Sequence, residues 1–479
     1  MRSSLTLRMT LRPPILRAII AAALFAAVTG ACDLSRRMPP IWMTAVAQAQ
    51  SPALTAEVRA ALAGHVRHAL KADLLDRWYP SVLDFEEGGY LSDLDRRWQP
   101  SGAQDKMLVT QARHLWTLSR AALFFPDRSE FLPWAEHGYR FLQDVMWDDA
   151  HGGFYMMVTR EGQPIPEDDG RFVKQAYGIA FAIYGLAAYY HASGDPEALE
   201  LAKRSFRWLD HHAYDAWHGG YFQFIGRDGT ALRDGYNATP PKDQNSSIHI
   251  LEAFTELYQV WPDEHLGLRL RQMLELIRDT LTVEPGFLTL FSTADWQPIS
   301  YRDSSDAVRE ANYYFDHVSY GHDVETAYLM LEASDVAGMF DRGMTLSAAK
   351  KMVDHALQFG WDEDVGGFVD AGYYFEGESS PQVIRATKNW WAQAEGLNTL
   401  LLMADEFPDD PNRYDLRFLD LWAYIRGYLV DPVYGGWFEG GIDKQPEFAV
   451  GPKSHIWKGA YHDGRALMNV IRRLEAAAH

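Results

Sequence analysis

The sequence predicts an all-α fold, an (α/α)6 barrel with short β-hairpins at one mouth. Three observations carry this: a turn motif that recurs six times, two helix-period segments between successive copies, and a near-continuous apolar character in one segment of each pair.

The motif is an acidic or turn-forming run, then Gly-Gly, then an aromatic. It reads Glu86-Glu87-Gly88-Gly89-Tyr90, and returns as Asp148 to Phe154 and as Asp215 to Tyr221. A degenerate copy, Glu284-Pro285-Gly286-Phe287, precedes Asp362 to Phe368 and Asp431 to Trp437. Between the last glycines the spacings are 64, 67, 66, 81 and 69 residues. Glycine gives the positive φ of a tight turn, and the aromatic begins a short strand.

The helices lie between the turns. From Gln175 to Tyr190 apolar residues recur at helical spacing until Gly194-Asp195-Pro196 stops the run. Glu197 to Asp210 reads as a second helix, with Lys203, Arg204 and Arg207 on a solvated side. Each unit is thus helix, helix, hairpin, and six units supply six inner and six outer helices. An open solenoid would use the same units; the count of six and the hairpins favour a closed toroid whose hairpin-side mouth is the pocket. Residues 50–479 are read as this single domain.

The first 49 residues read as a targeting segment. Arg2, Arg8, Arg12 and Arg17 form a basic stretch ahead of the apolar run Ile19 to Val28, which is too short to span a bilayer. Two exits fit: lipidation at Cys32 in Thr29-Gly30-Ala31-Cys32, or cleavage after a small-x-small site near Ala45 to Ala49. The expected location is outside the cytoplasm, periplasmic or lipid-anchored, with membrane contact only through Cys32. Cys32 is the one cysteine, which excludes disulfides, thiolate metal sites and a cysteine nucleophile from the rest of the chain. The net charge is −20, and six Arg against one Asp in residues 1–49 leave the remainder near −25. Such a charge repels nucleic acid and anionic membranes and permits neutral sugars.

Several polar and aromatic residues stand at the predicted starts of inner helices. His249 and Glu252 share one helix face at i, i+3, as a core histidine satisfied by a carboxylate or as an imidazole whose basicity and orientation the carboxylate tunes. His322 and Asp323 open another apolar helix, where Asp323 reads as a cap. His462 follows a glycine-containing turn beside Trp457. Trp390 and Trp391 are adjacent, so one can face the core and the other the pocket; Arg113 lies in Gln111 to Trp116. Five such clusters at equivalent places point to one site.

These residues, in Lys242–Glu256, Tyr320–Glu332, Trp390–Glu395 and Trp457–Arg465, resemble the N-acylglucosamine 2-epimerase superfamily, its cellobiose 2-epimerase-like branch above all. The resemblance runs from about Val58 to the C-terminus. It implies an (α/α)6 barrel and a sugar 2-epimerase that inverts C2 of a free reducing sugar, an N-acylhexosamine or a β-1,4-disaccharide. It implies His249 and His462 as the catalytic pair working through a cis-enediolate. Arg113, Glu252, His322, Trp391 and Trp457 are implied as substrate-binding residues, with no metal and no cofactor, in a monomer or homodimer. The pattern departs at Tyr177 and Phe181, where some members hold Asn and His. The same residues leave three alternatives: an aldose–ketose isomerase, a glycoside hydrolase or lyase using carboxylates among Asp243, Asp323, Glu325 and Glu395, and a sugar-binding protein on the same fold.

Overall fold

The computed structural model describes residues 54–476; the proposed targeting segment, with Cys32, lies outside the described residues. Helix α1 (Ala56–His68) continues through a π-helical stretch, Ala69–Leu75, to Trp78. Next come α2 (Leu108–Phe124) and α3 (Phe131–Phe141), α4 (Ala176–Ser193) and α5 (Pro196–Ala213), then α6 (Gln244–Val260) and α7 (Glu264–Leu276). A short helix, α8 (Asp306–Asp316), precedes α9 (Tyr320–Ala337) and α10 (Arg342–Gly360). The chain ends through α11 (Trp390–Glu406), α12 (Tyr414–Tyr424) and α13 (Tyr461–Ala476).

Six of these form the inner ring. α2 packs on α4, α4 on α6, α6 on α9, α9 on α11, α11 on α13, and α13 returns to α2. Each carries an outer partner, and α13 takes its partner from the other end of the chain, α1. The toroid is therefore closed, and one apolar cluster runs through it from Leu54 to Leu474.

Burial separates the two rings as the sequence suggests. α4 is buried from Ala176 to Tyr189 without a break, because helices surround it. α5 buries one stripe, including Ala198, Leu201, Ala202, Phe206 and Leu209. Gly194 ends α4 in the left-handed region at φ 71°, and Asp195 caps α5 by accepting from the Glu197 N–H. The basic face of α5 differs from expectation. Arg204 lies over Trp147, and Lys203 and Arg207 lie over Trp261, so these long side chains cover aromatic surface instead of standing free in water.

The recurrent turns fold alike. In the second copy Gly152 and Gly153 have φ of 68° and 69°, and the chain closes with Trp147 opposite Phe154. The strand before one inner helix then pairs with the strand after the next turn. Lys106–Met107 pairs with Met157–Val158, Val173–Gln175 with Phe224–Gly226, and Lys242–Asp243 with Phe291–Ser292. These antiparallel pairs stitch neighbouring units together at the mouth. The 81-residue spacing is explained by α8, which is inserted after the degenerate fourth turn and buries none of its residues.

A buried ion pair reinforces five of the six turns. Lys106, Lys174, Lys242, Lys388 and Lys453, each just ahead of an inner helix or its loop, reach Asp84, Asp148, Asp215, Asp362 and Asp431 at 2.8–3.1 Å. The fourth turn lacks the lysine. There Asp323, in the first turn of α9, accepts from the Leu288 N–H at 3.0 Å. This corrects the reading of Asp323 as a helix cap: its carboxyl holds the neighbouring hairpin, a task done by Gln111 at Tyr90 and by Gln393 at Phe368 in two other units.

Candidate active site

The inner helices begin at the hairpin mouth, and the chemistry-bearing side chains occupy their first turns. α6 carries His249 and Glu252, with Asp243 capping its start by accepting from Ser246 N–H. His249 Nδ1 lies 2.8 Å from Glu252 Oε2. α13 carries His462, whose Nδ1 lies 2.7 Å from Glu395 Oε1 on α11. Each imidazole is thus held by a carboxylate through Nδ1, which leaves Nε2 as the nitrogen free for other work.

An aromatic chain links the two histidines. His249 packs on Phe181 at 4.6 Å between ring centroids, Phe181 on Tyr461 at 5.6 Å, and Tyr461 on His462 at 4.7 Å. Arg113, from α2, lies over Phe181 and Tyr461 and donates to the Tyr177 hydroxyl at 3.0 Å. Its Nε is buried, and none of the described residues accepts from it. Trp391 stands 5.8 Å from His462 and 4.7 Å from His322, while Trp390 turns into the core. His322 itself is held by Ser319 Oγ at 2.7 Å from its Nδ1. Trp457 stands 6.5 Å from Tyr177 and is 47% exposed, which puts it at the rim. The seven residues singled out in the sequence therefore join through shared neighbours into one cluster.

The structure adds groups that the sequence did not single out for this role. Arg465, one turn after Tyr461, pairs with Glu252 and places Nη2 2.7 Å from both Glu325 and Glu395. Tyr461 also donates to Glu252. A signal was there: Glu325 and Glu395 interrupt apolar helices, and a charge in such a place must be paired. All four carboxylates weighed for a hydrolase have protein partners, Asp243 and Asp323 at backbone N–H groups, Glu325 and Glu395 at Arg465. Glu325, Glu395 and His462 bring ligand-type atoms within 4.8 Å of one another. The Arg465 guanidinium already donates to Glu325 and pairs with Glu395, so a cation there would have to displace a cation.

Burial sets the protonation states. It holds His249 well below the ordinary histidine value, helped by the charges of Arg113 and Arg465, and holds His462 well below it, helped by Arg113. His322 is pushed down to about 3, chiefly by burial. The expectation that Glu252 raises the basicity of His249 is corrected: desolvation and two nearby guanidinium groups outweigh it, and both imidazoles are neutral at pH 7. In contrast, burial raises Asp243 to about 6 and Asp463 to about 7.

A closed ring of paired helices thus brings two carboxylate-held imidazoles together with an arginine and indole rings at one mouth. The sequence profile of N-acylglucosamine 2-epimerase (GlcNAc 2-epimerase) matches residues 89–462, and the chain belongs to that family. It is an epimerase, an enzyme of the isomerase class. Among curated relatives, a cellobiose 2-epimerase of Bacteroides fragilis is 30% identical over 416 residues, covering 84% of this chain and 96% of the relative. A D-mannose isomerase of Thermobifida fusca is 25% identical over 334 residues, covering 68% of this chain and 75% of the relative. The solved cellobiose 2-epimerase of Spirochaeta thermophila superposes with a TM-score of 0.74 at 28% identity, covering 88% of this chain and 99% of that one.

Proposed function

We propose that the protein is a sugar 2-epimerase that inverts C2 of a β-1,4-linked disaccharide of the cellobiose type, with His249 and His462 as its acid–base pair. The observation that carries this reading is the pair itself: two buried imidazoles, each fixed through Nδ1 by its own carboxylate and each neutral. One histidine removes the C2 proton of the ring-opened sugar through Nε2. The electron pair moves toward C1, and the carbonyl oxygen takes the charge of a cis-enediolate. The other histidine returns a proton to the opposite face of C2. Arg113 Nε, a buried donor with no described protein partner, supplies a hydrogen bond to the developing oxyanion. The half-exposed Trp457 offers a stacking face to the second sugar unit.

The test is solvent exchange. Incubation of cellobiose, mannose and N-acetylmannosamine in D2O, followed by NMR, should show deuterium entering C2 together with the C2 epimer. His249→Ala and His462→Ala should each lower kcat by ~10²–10⁴-fold. Exchange that persists undiminished in both variants overturns the pair.

A second reading, aldose–ketose isomerisation, is favoured by the D-mannose isomerase relative. The same enediolate protonated at C1 yields a ketose, so the product separates the two. We also propose that residues 1–49 direct export; the mass of the processed protein, with Cys32→Ser as the comparison, tells cleavage from lipidation.

A further inference from the structure

Behind His462 the barrel holds more carboxylate than its nearest cation can balance. Glu325 from α9 and Glu395 from α11 both place Oε1 2.7 Å from the single nitrogen Arg465 Nη2, and both side chains are almost completely buried. Arg465 is shared with a third carboxylate, Glu252. His462 Nδ1 is 2.7 Å from Glu395 Oε1 and 3.8 Å from Glu325 Oε1. The other charged or titratable groups facing this cluster are Arg113 from α2, Tyr184 from α4, His249 from α6, His322, Tyr328 and Glu332 from α9, and Tyr461 and Asp463 from α13. Two carboxylates beside one guanidinium nitrogen, out of water, repel each other, and a proton held between them would relieve it. Burial raises Glu325 to about 8 and Glu395 well above the ordinary range, the latter also through the charge of Glu325.

We propose that Glu325 is a further positioning residue for the reaction: it shares one proton with Glu395 under Arg465, and so sets which ring nitrogen of His462 carries hydrogen. When the shared proton is on Glu325, Glu395 is ionised and accepts the Nδ1–H of His462, and Nε2 presents a lone pair, the form of a base; when it is on Glu395, that carboxyl donates to Nδ1 and Nε2 carries the hydrogen. Once Nε2 has taken a proton, the imidazolium passes its Nδ1 proton to Glu395. The imidazole is then neutral with hydrogen on Nε2, the form of an acid for the reverse direction. One proton moves from nitrogen to oxygen, the carboxyl pair goes from one proton to two, and no outside reactant is used. His249 faces only Glu252 in this way. The two histidines are thus unequal, and His462 is the one that can be reset from inside the protein. The proposal rests on His462 acting at C2.

The test compares wild type with Glu325→Gln. An infrared difference spectrum at pH 7 should show a protonated-carboxyl stretch in wild type that Glu325→Gln weakens. In Glu325→Gln the charge of Glu325 no longer raises Glu395, so Glu395 ionises more readily beside His462 and the acid limb of kcat/KM should move up by about one pH unit. At neutral pH kcat should fall by about tenfold while KM holds, a loss at the low end of what a misplaced acid–base group costs. Where Glu325→Gln does not fold, carbon NMR of wild type labelled at the glutamate carboxyls reads the same protonation directly. Absence of a protonated glutamate carboxyl at pH 7 overturns the shared proton, and an unmoved acid limb overturns the role at His462. A wild type with no C2 exchange on any sugar overturns the epimerase reading, while the spectrum still decides the shared proton.

Discussion

At the scale of single residues, burial keeps charge off the imidazoles of His249 and His462. An ordinary histidine half-protonates near pH ~6.5. His249 and His462 are held well below that, so kcat/KM should stay level as the pH falls through this value, which a pH–rate profile checks. Stability responds differently. A histidine whose folded value is depressed is neutral in the fold and protonates first in the unfolded chain, so its contribution is present above about 6.5 and is lost as the pH falls below it. His114, pushed down to about 3 by burial alone and held by the Tyr79 hydroxyl, belongs to this group with His322. His114 therefore pulls the urea midpoint down as the pH goes from 7 to 5, against the opposite pull of the raised carboxyls Asp243 and Asp463, and in His114→Gln that downward pull should be smaller. Arg113→Lys keeps the charge but loses the planar donor, so kcat should fall by ~10-fold or more with a smaller change in KM.

At the scale of elements, the turn motif was legible and its anchor was not. The Gly-Gly-aromatic period marks the units because glycine takes those paired positive φ values at the least steric cost. The lysine that clamps the turn stands at a varying distance from it, 22 residues on from Asp84 but 27 from Asp215, so no period reveals it. Lys242 and Asp215 meet at 2.8 Å with side chains at 0% and 1% exposure. Removing one partner of such a pair strands a buried charge, and Lys242→Met should cost about 3–5 kcal/mol in urea unfolding. The double variant with Asp215→Leu should recover a large part of that loss. His249 stood out for another reason, since it and Glu252 sit three apart on one helix and local spacing shows in a sequence, whereas its pairing with His462 came from the family resemblance. The Glu395–His462 contact joins residues 67 positions apart on different helices, and only the closed ring brings it about. The same holds for Arg465, whose three acidic partners come from α6, α9 and α11.

At the scale of the whole molecule, α13 closes the inner ring on α2 and α1 covers it from outside, with Arg59 reaching Asp405 on α11 at 2.7 Å and Arg67 reaching Glu475 on α13 at 2.6 Å. Because one apolar cluster passes through all units, unfolding should be a single transition by circular dichroism and by tryptophan fluorescence alike. Deleting residues 54–78 uncovers the outer side of α13, which holds His462 in place. That deletion should abolish the cooperative transition, whereas trimming α8, which buries nothing, should leave it.

The meeting of α1 with α13 also makes the order in which the barrel is written along the chain arbitrary. With the beginning of the first helix and the end of the last lying on one seam, a flexible linker of about ten residues could join them, and the chain could be reopened at Gly194-Asp195, between α4 and α5. Such a circular permutant would start in what is now the second unit, keep every inner helix between its present neighbours, and carry Arg113 behind His462 in sequence while leaving them in the same place in space.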